Sequence, residues 1–358
     1  MIELIDYTLD EALRRSVPLD GVYDIMSMLR RYGITLFDVY LRHVHAYRSA
    51  ILSDELPSSV RCRVRPASDD LALARAMGFT KVAVLWSHSL NRTSLFKLEA
   101  ALEAAREFAT EIYLVVEDAA PGRSGCFDLY WPLIQRYGVV RLVYCDSRSR
   151  LDPLIARSRM NELVKSAICP VEFSGGNLLG LATANSLAAL KAGISHLGVS
   201  VAGVGPKGRA AMEEVLMVLK TLWRQPLPVP TESLAADCAA VLAAMNIPLA
   251  EDKAVIGPQV FAHESGIHVD GISKHPGLYE ALSPHEVGLE RKLVIGKHSG
   301  TASLRLKFKE WNQPLPSEEA SLLLTKVRER AAVRKRSVND LELMELYREV
   351  RGEDGERR

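Results

Sequence analysis

The sequence of 358 residues predicts an α/β protein, a (β/α)8 TIM barrel followed by a linker subdomain and C-terminal helices. Three observations lead there. Short apolar runs alternate with amphipathic stretches as far as about residue 225. Glycines close several of the amphipathic stretches, and the alternation stops at the proline-spaced segment Pro226, Pro228, Pro230.

The apolar runs are Ile2–Tyr7, Leu36–Tyr40, Val60–Arg65, Lys81–Trp86, Glu111–Val116, Val140–Cys145, Cys169–Phe173 and Leu197–Val201. Each has the length and Val/Ile/Leu content of a strand buried on both faces, as parallel strands are. Helical patterns lie between them at Asp70–Met77, Ser94–Thr110, Leu154–Ala167, Leu179–Ala192 and Arg209–Arg224. Gly33, Gly78, Gly138 and Gly193 each follow a helical run and precede a strand, the position where a helix ends in a left-handed residue. Such alternation means right-handed βα units, and about eight of them close a barrel of roughly 250 residues. A doubly wound open sheet would carry a glycine-rich phosphate turn after its first strand, and Tyr7-Thr8-Leu9-Asp10-Glu11 is not one. Beyond the prolines, a helix is expected at about Ser233–Met245, then a glycine- and histidine-rich segment, Ile256–Gly300. Helices follow at about Thr301–Trp311, Ser317–Val333 and Val338–Val350. The expected organisation is a barrel over 1–226, a linker subdomain over 227–310, a helical region over 311–350 and a charged tail over 351–358.

Composition narrows the function classes. Lys+Arg of 45 against Asp+Glu of 44 leaves no basic excess for a nucleic-acid partner. No apolar window is long enough to span a bilayer, and the N-terminus lacks the pattern of a signal peptide. Cys62, Cys126, Cys145, Cys169 and Cys238 form no CxxC pair, so reduced thiols and a cytoplasmic location are expected.

Barrel chemistry sits at the C-terminal ends of the strands. Those ends supply Thr8-Leu9-Asp10-Glu11, Leu41-Arg42-His43, Arg65, Ser87-His88, Glu117-Asp118, Asp146-Ser147, Ser174-Gly175-Gly176-Asn177 and Ala202-Gly203. Carboxylates and histidines gather there, without a close histidine pair facing a carboxylate, the set that holds a divalent cation. Asp10 and Glu11 read at least as well as a solvated turn or a helix cap as they do as functional groups. His43-x-His45 reads as a packing pair more readily than as metal ligands.

Ile5-Asp6-Tyr7-Thr8-Leu9 resembles the start of the first-strand motif D-T-T-L-R-[DE]-G-E-Q of the homocitrate synthase and isopropylmalate synthase family. Gly180-Leu181-Ala182-Thr183-Ala184-Asn185-Ser186-Leu187-Ala188-Ala189 is similar to that family's segment after strand seven. Phe261-Ala262-His263-Glu264-Ser265-Gly266-Ile267-His268-Val269-Asp270-Gly271 and Val294-Ile295-Gly296-Lys297-His298-Ser299-Gly300 are similar to its linker motifs. The resemblance runs from about Ile2 to about Phe308 and is closest to the homocitrate synthases of nitrogen fixation. It implies condensation of acetyl-CoA with a 2-oxo acid such as 2-oxoglutarate, with a divalent Mg, Mn or Zn ion polarising the ketone. It further implies a dimer, in which the linker reaches the barrel of a partner subunit.

Carried over residue by residue, the resemblance places the family arginine on Asp10 and the metal carboxylate on Glu11. The two metal histidines fall on Ser174 and Gly176, with Asn177 kept and the following aspartate replaced by Leu178. The loop N-G-x-G-E-R-x-G-N reads Ala202 to Ala210 without its asparagines. A single carboxylate would hold a divalent ion weakly, so no cofactor is expected to bind tightly. His268 and Tyr279 match the family's linker proton relay, Arg65 a third-strand arginine of the substrate pocket, and Glu117-Asp118 a fifth-strand acidic pair. These matches leave three expectations open. One is an acyltransferase with impaired metal-dependent turnover. Another is a non-catalytic paralogue that binds a metabolite or partners an active homologue. The third is a changed, metal-free reaction.

Overall fold

The computed structural model describes residues 2–47, 58–88, 95–119, 126–226, 229–264 and 280–352. Eight parallel strands form a closed barrel: β1 Glu3–Asp6, β2 Leu36–Tyr40, β3 Val60–Val64, β4 Lys81–Ser87, β5 Glu111–Glu117, β6 Val139–Asp146, β7 Val171–Gly175 and β8 His196–Ser200. Each pairs with the next, and β1 closes the ring on β8 with Glu3 opposite His196 and Asp6 opposite Val199. All eight predicted strands are present, with ends displaced by up to two residues. Gly33, Gly78, Gly138 and Gly193 adopt φ of +80°, +79°, +64° and +101°, the left-handed geometry that lets a helix turn into the next strand.

Two helices start later than their periodicity suggests. The stretch expected from Arg209 becomes helical only at Met212, because Ala210–Ala211 form a short strand, β9, beside Val199 and Ser200 of β8. Arg209 is therefore left in the loop at the mouth. The helix expected from Leu179 begins at Ala182, after Gly180 at φ +73°, and the Asn177 side chain accepts the Ala182 amide proton at 3.0 Å.

Strand alternation sorts the residues into two layers. Ile5, Tyr7, Leu36, Ala83, Tyr113, Val115, Val143 and Cys145 fill the barrel. The barrel also encloses charge. Arg61, 0% exposed, donates from Nε to Asp38 at 2.6 Å and from both terminal nitrogens to Glu172 at 2.6 and 2.8 Å. Arg63 pairs with the other Asp38 oxygen, and the Tyr7 hydroxyl donates to Glu172 at 3.3 Å. Removing one member of such a buried set leaves the others desolvated and unpaired, which is why all must be present together.

The chain divides into two compact units, Met1–Pro230 with Asp237–Leu249, and Thr231–Ala236 with Ala250–Arg358. The second unit is built on helices Thr301–Glu310, Ser317–Arg334 and Asp340–Arg351, packed through Leu304, Phe308, Leu323, Val327, Leu343 and Leu346. Its G-K-H-S-G motif is a brace. Ser299 accepts the Gly296 amide at 2.9 Å, and the His298 amide donates to the Glu264 carboxylate at 2.7 Å. Among the described residues no helix is long and apolar enough to cross a membrane.

Candidate active site at the barrel mouth

The mouth holds an open cavity of about 180 Å³. Its walls are Tyr7, Asp10, Glu11, Tyr40, Arg42, His43, Arg63, Leu85 and the loop Val204–Arg209. Helix Thr8–Arg14, which brings Asp10 and Glu11 here, is anchored by Asp6. That buried carboxylate accepts the amides of Thr8 at 2.9 Å and Leu9 at 2.8 Å. Burial outweighs these bonds and pushes the Asp6 carboxyl up to about 6.

Asp10 is one side of a tight ion cluster. It accepts from Arg63 Nη2 at 2.7 Å, from the Tyr40 amide at 2.8 Å, and its other close partner is His43 Nδ1 at 2.8 Å. Burial works to raise its pKa, but the Arg63 charge and the His43 and Tyr40 hydrogen bonds together carry it down to about 2. The negative charge at residue 10 is thus answered from β3, where Arg63 pairs with Asp10 and also with Asp38.

The three positions implied as a metal site do not converge on one. Glu11 is already engaged, since one oxygen accepts from Arg14 at 2.6 Å and Arg15 at 2.6 Å and the other from Arg14 at 2.7 Å. Ser174 points into the barrel, fully buried, with no hydrogen-bond partner for its Oγ among the described residues. A Cβ on the facing Gly198 would lie 2.7 Å from the Tyr7 ring and 2.9 Å from Ser174 Oγ, so Tyr7 fills the space beside Ser174 and Gly198. At Gly176 a Cβ would lie 2.7 Å from Ser149 Oγ and 2.9 Å from the Asp146 carbonyl oxygen. No imidazole fits there while those atoms stay in place. Among the described residues no group of three or more His, Cys, Asp or Glu side chains is placed to hold a metal ion. A divalent cation and this donor set do not match.

The remaining candidates are spread around the rim. Asn177 braces the mouth, its amide donating to the Lys207 carbonyl at 2.8 Å while its side chain ties down the start of the next helix. Ala210 sits in β9. Glu117 ends β5, half-buried. Asp118, at φ +54°, accepts from Ser147 Oγ at 2.8 Å and the Arg148 amide at 3.0 Å, fastening two rim loops together. The Arg65 side chain is 66% exposed and paired with Asp70 at 2.6 Å, lining a separate depression with His45 rather than the mouth. His43 and His45, two apart on helix Leu41–His45, serve different cavities because successive helical positions diverge by about 100°. His268 and Tyr279 lie outside the described residues.

The residues that sequence reasoning missed are Tyr7, Tyr40, Arg63 and Arg209. Arg209 reaches over the Tyr7 ring, its guanidinium carbon 4.9 Å from the centroid, and Arg63 lies 5.2 Å from the same centroid. A signal for Arg63 was available. Val60-Arg61-Cys62-Arg63-Val64 alternates, so both arginines must share a face, and in a barrel strand covered outside by helices that face is the interior.

A closed parallel barrel with an open, charged mouth at its strand ends defines the molecule as a TIM barrel. The chain belongs to the HMGL-like family, whose model matches residues 11–236, and residues 255–335 match the homocitrate synthase post-HMGL domain. It is 39% identical over 311 residues to 2-isopropylmalate synthase 2 of Caldanaerobacter subterraneus subsp. tengcongensis, covering 86% of this chain and 79% of that one. It is 33% identical over 307 residues to homocitrate synthase 1 of a Nostoc species, covering 86% and 80%. An HMG-CoA lyase structure from Pseudomonas aeruginosa shares the fold, with TM-score 0.56 and 18% identity over 69% of this chain and 94% of that one.

Proposed function

We propose that this chain is a homocitrate synthase-like acyltransferase family member whose metal-dependent condensation of acetyl-CoA with a 2-oxo acid is impaired or lost. The observation that carries the reading is the closed metal site: Glu11 locked by Arg14 and Arg15, with no room for an imidazole at Gly176. Polarising a ketone by a metal contributes several kcal/mol of transition-state stabilisation, and each 1.36 kcal/mol is about tenfold in rate. Without it, ordinary turnover on 2-oxoglutarate or a related acid is not expected.

The cationic cavity favours a second component of the reading, a paralogue that keeps a metabolite-binding mouth and acts beside an active homologue. Arg42, Lys207 and Arg209 line an open cavity without a carboxylate partner among the described residues, which supports retained binding of a small acid. Assembly as a homodimer, or as a hetero-oligomer with an active homologue, belongs to the same proposal. So does a cytoplasmic setting, which five cysteines without a CxxC pair support. His268, Tyr279 and Glu117 are the acid–base candidates of this reading, with Asp118 and Asn177 as its substrate-side candidates at the rim and Arg65 as one at the neighbouring depression.

The test is thiol release from acetyl-CoA by the purified full-length chain, with 2-oxoglutarate and Mn²⁺ or Mg²⁺, beside metal analysis of the same sample. Background-level release with substoichiometric metal is expected. Robust metal-dependent release would refute the proposal.

A further inference from the structure

We infer that His43 is a metal-independent general base at the barrel mouth, oriented by Asp10, and that its reaction is abstraction of the proton next to the ketone of a 2-oxo acid. The substrate class rests on the family reading above; the reaction itself needs neither a metal nor acetyl-CoA. Asp10, which stands where the family arginine is expected, is fixed at three points. The Tyr40 amide and His43 Nδ1 both lie 2.8 Å from its Oδ1, and Arg63 donates to its Oδ2 at 2.7 Å. Its carboxyl, carried down to about 2, is ionised at neutral pH and can only accept. The proton of the His43 contact therefore sits on Nδ1, which leaves the lone pair of the neutral ring on Nε2.

His43 is a wall of the cavity, its side chain 15% exposed. Its Nε2, unpaired among the described residues, is not closed off. The ring meets Tyr40 edge-on, with 5.7 Å between centroids, so it is held by an aromatic as well as by the carboxylate. An imidazole turned by a carboxylate at one nitrogen and open at the other is the arrangement of a general-base histidine. His45, two positions on, lines the other depression and shares none of these contacts.

The rest of the cavity sets the reaction. Among the described residues no hydroxyl or thiol is hydrogen-bonded to His43, so no side-chain nucleophile is paired with this base. What the other walls add is positive charge without a carboxylate partner among the described residues. Lys207 approaches only the Ser147 hydroxyl at 3.5 Å, and the buried Nε of Arg209 has no hydrogen-bond partner. A base and cations without a nucleophile suit a carbon acid. His43 Nε2 takes a proton from carbon 3 of the 2-oxo acid, the C–H electron pair becomes the C2–C3 double bond, and the carbonyl pair moves onto oxygen, giving an enolate that the cations stabilise. The imidazolium trades its proton with solvent through the open mouth and returns one to carbon 3. The 2-oxo acid is regenerated, so the net change is exchange of one hydrogen and no co-reactant is consumed.

Proton NMR of 2-oxoglutarate and pyruvate in D₂O, with the full-length protein and excess EDTA, reads that exchange. Deuterium entry at carbon 3 is expected at least about 100-fold above the protein-free rate, the low end of what a positioned base contributes. His43→Ala is expected to fall about 100-fold, and added imidazole, corrected for its own action in solution, to restore about tenfold. Asp10 is a positioning residue: Asp10→Asn is expected to lose at least about tenfold, and imidazole does not rescue it because the His43 ring still fills the place. His45→Gln leaves the rate unchanged. Thermal melts show that each variant is folded. Exchange only with added Mn²⁺, no exchange by the folded protein, an unchanged rate in His43→Ala, or a loss there that imidazole does not restore would each overturn the inference. Metal-dependent thiol release would refute the proposed function while leaving EDTA-resistant exchange intact, and absent exchange with background thiol release would do the reverse, so the two failures are distinguishable.

Discussion

Placing a side chain at Gly176 gives the sharpest test of the mouth's architecture. In Gly176→Ala the new methyl lies 2.7 Å from Ser149 Oγ and 2.9 Å from the Asp146 carbonyl oxygen. Ser149 has little freedom to withdraw, because it stands at φ +53° and its Oγ accepts the Leu178 amide at 3.1 Å. The Asp146 carbonyl is backbone, and it accepts the Gly176 amide itself at 2.9 Å, so moving apart lengthens that bond. Overpacking of this kind costs about 1–3 kcal/mol, and each kcal/mol lowers Tm by about 2–4 °C in a unit of this size. A fall of roughly 2–12 °C is therefore expected by circular dichroism melting. Gly176→His adds an imidazole to the same clash and is expected to fall further, without gaining metal even when combined with Ser174→His and Asp10→Arg. A Gly176→Ala protein melting at the parent temperature, or a triple variant that binds Mn²⁺ stoichiometrically, would show that the wall yields and refute the steric argument.

Three further outcomes are expected. Arg61→Met keeps the volume but leaves Asp38 and Glu172 buried without their common partner, and is expected to cost about 3–5 kcal/mol in urea unfolding; adding Glu172→Gln and Asp38→Asn recovers part of that loss. Asp10 has a pKa near 2 in the fold against an ordinary 3.8, so its stabilisation is present above 3.8 and lost as pH falls from there toward 2. Asp10→Asn should remove about 2 kcal/mol of stability at neutral pH and little at pH 2, measured by denaturant unfolding across that range. Asp6 runs the other way: with its pKa raised to about 6, the fold holds the proton more tightly than the unfolded chain, so its contribution falls as pH rises from 3.8 to 6. An unfolding free energy in Asp6→Asn that keeps the parent's slope over that window would contradict the assignment.

Much of the fold was legible in the sequence because its signals are local. Eight apolar runs became eight strands, and four glycines after helical patterns stand at positive φ, since backbone geometry and burial on both faces act within a few residues. The family motifs were legible too, though His298 and Ser299 turn out to brace Glu264, with the Gly296 amide bonded to Ser299. Tertiary structure alone decided the mouth. That Glu11 is held by Arg14 and Arg15, one turn away on its own helix, could have been suspected; that Gly176 is walled by Ser149 and Asp146 from the neighbouring strand could not. The alternation in Val60–Val64 places Arg61 and Arg63 on one face, but their partners are set by closure of the ring, which brings Glu172 to Arg61 across 111 positions and Tyr7 to Glu172 across 165. Periodicity reports which way a side chain points; only the closed barrel determines what it meets there.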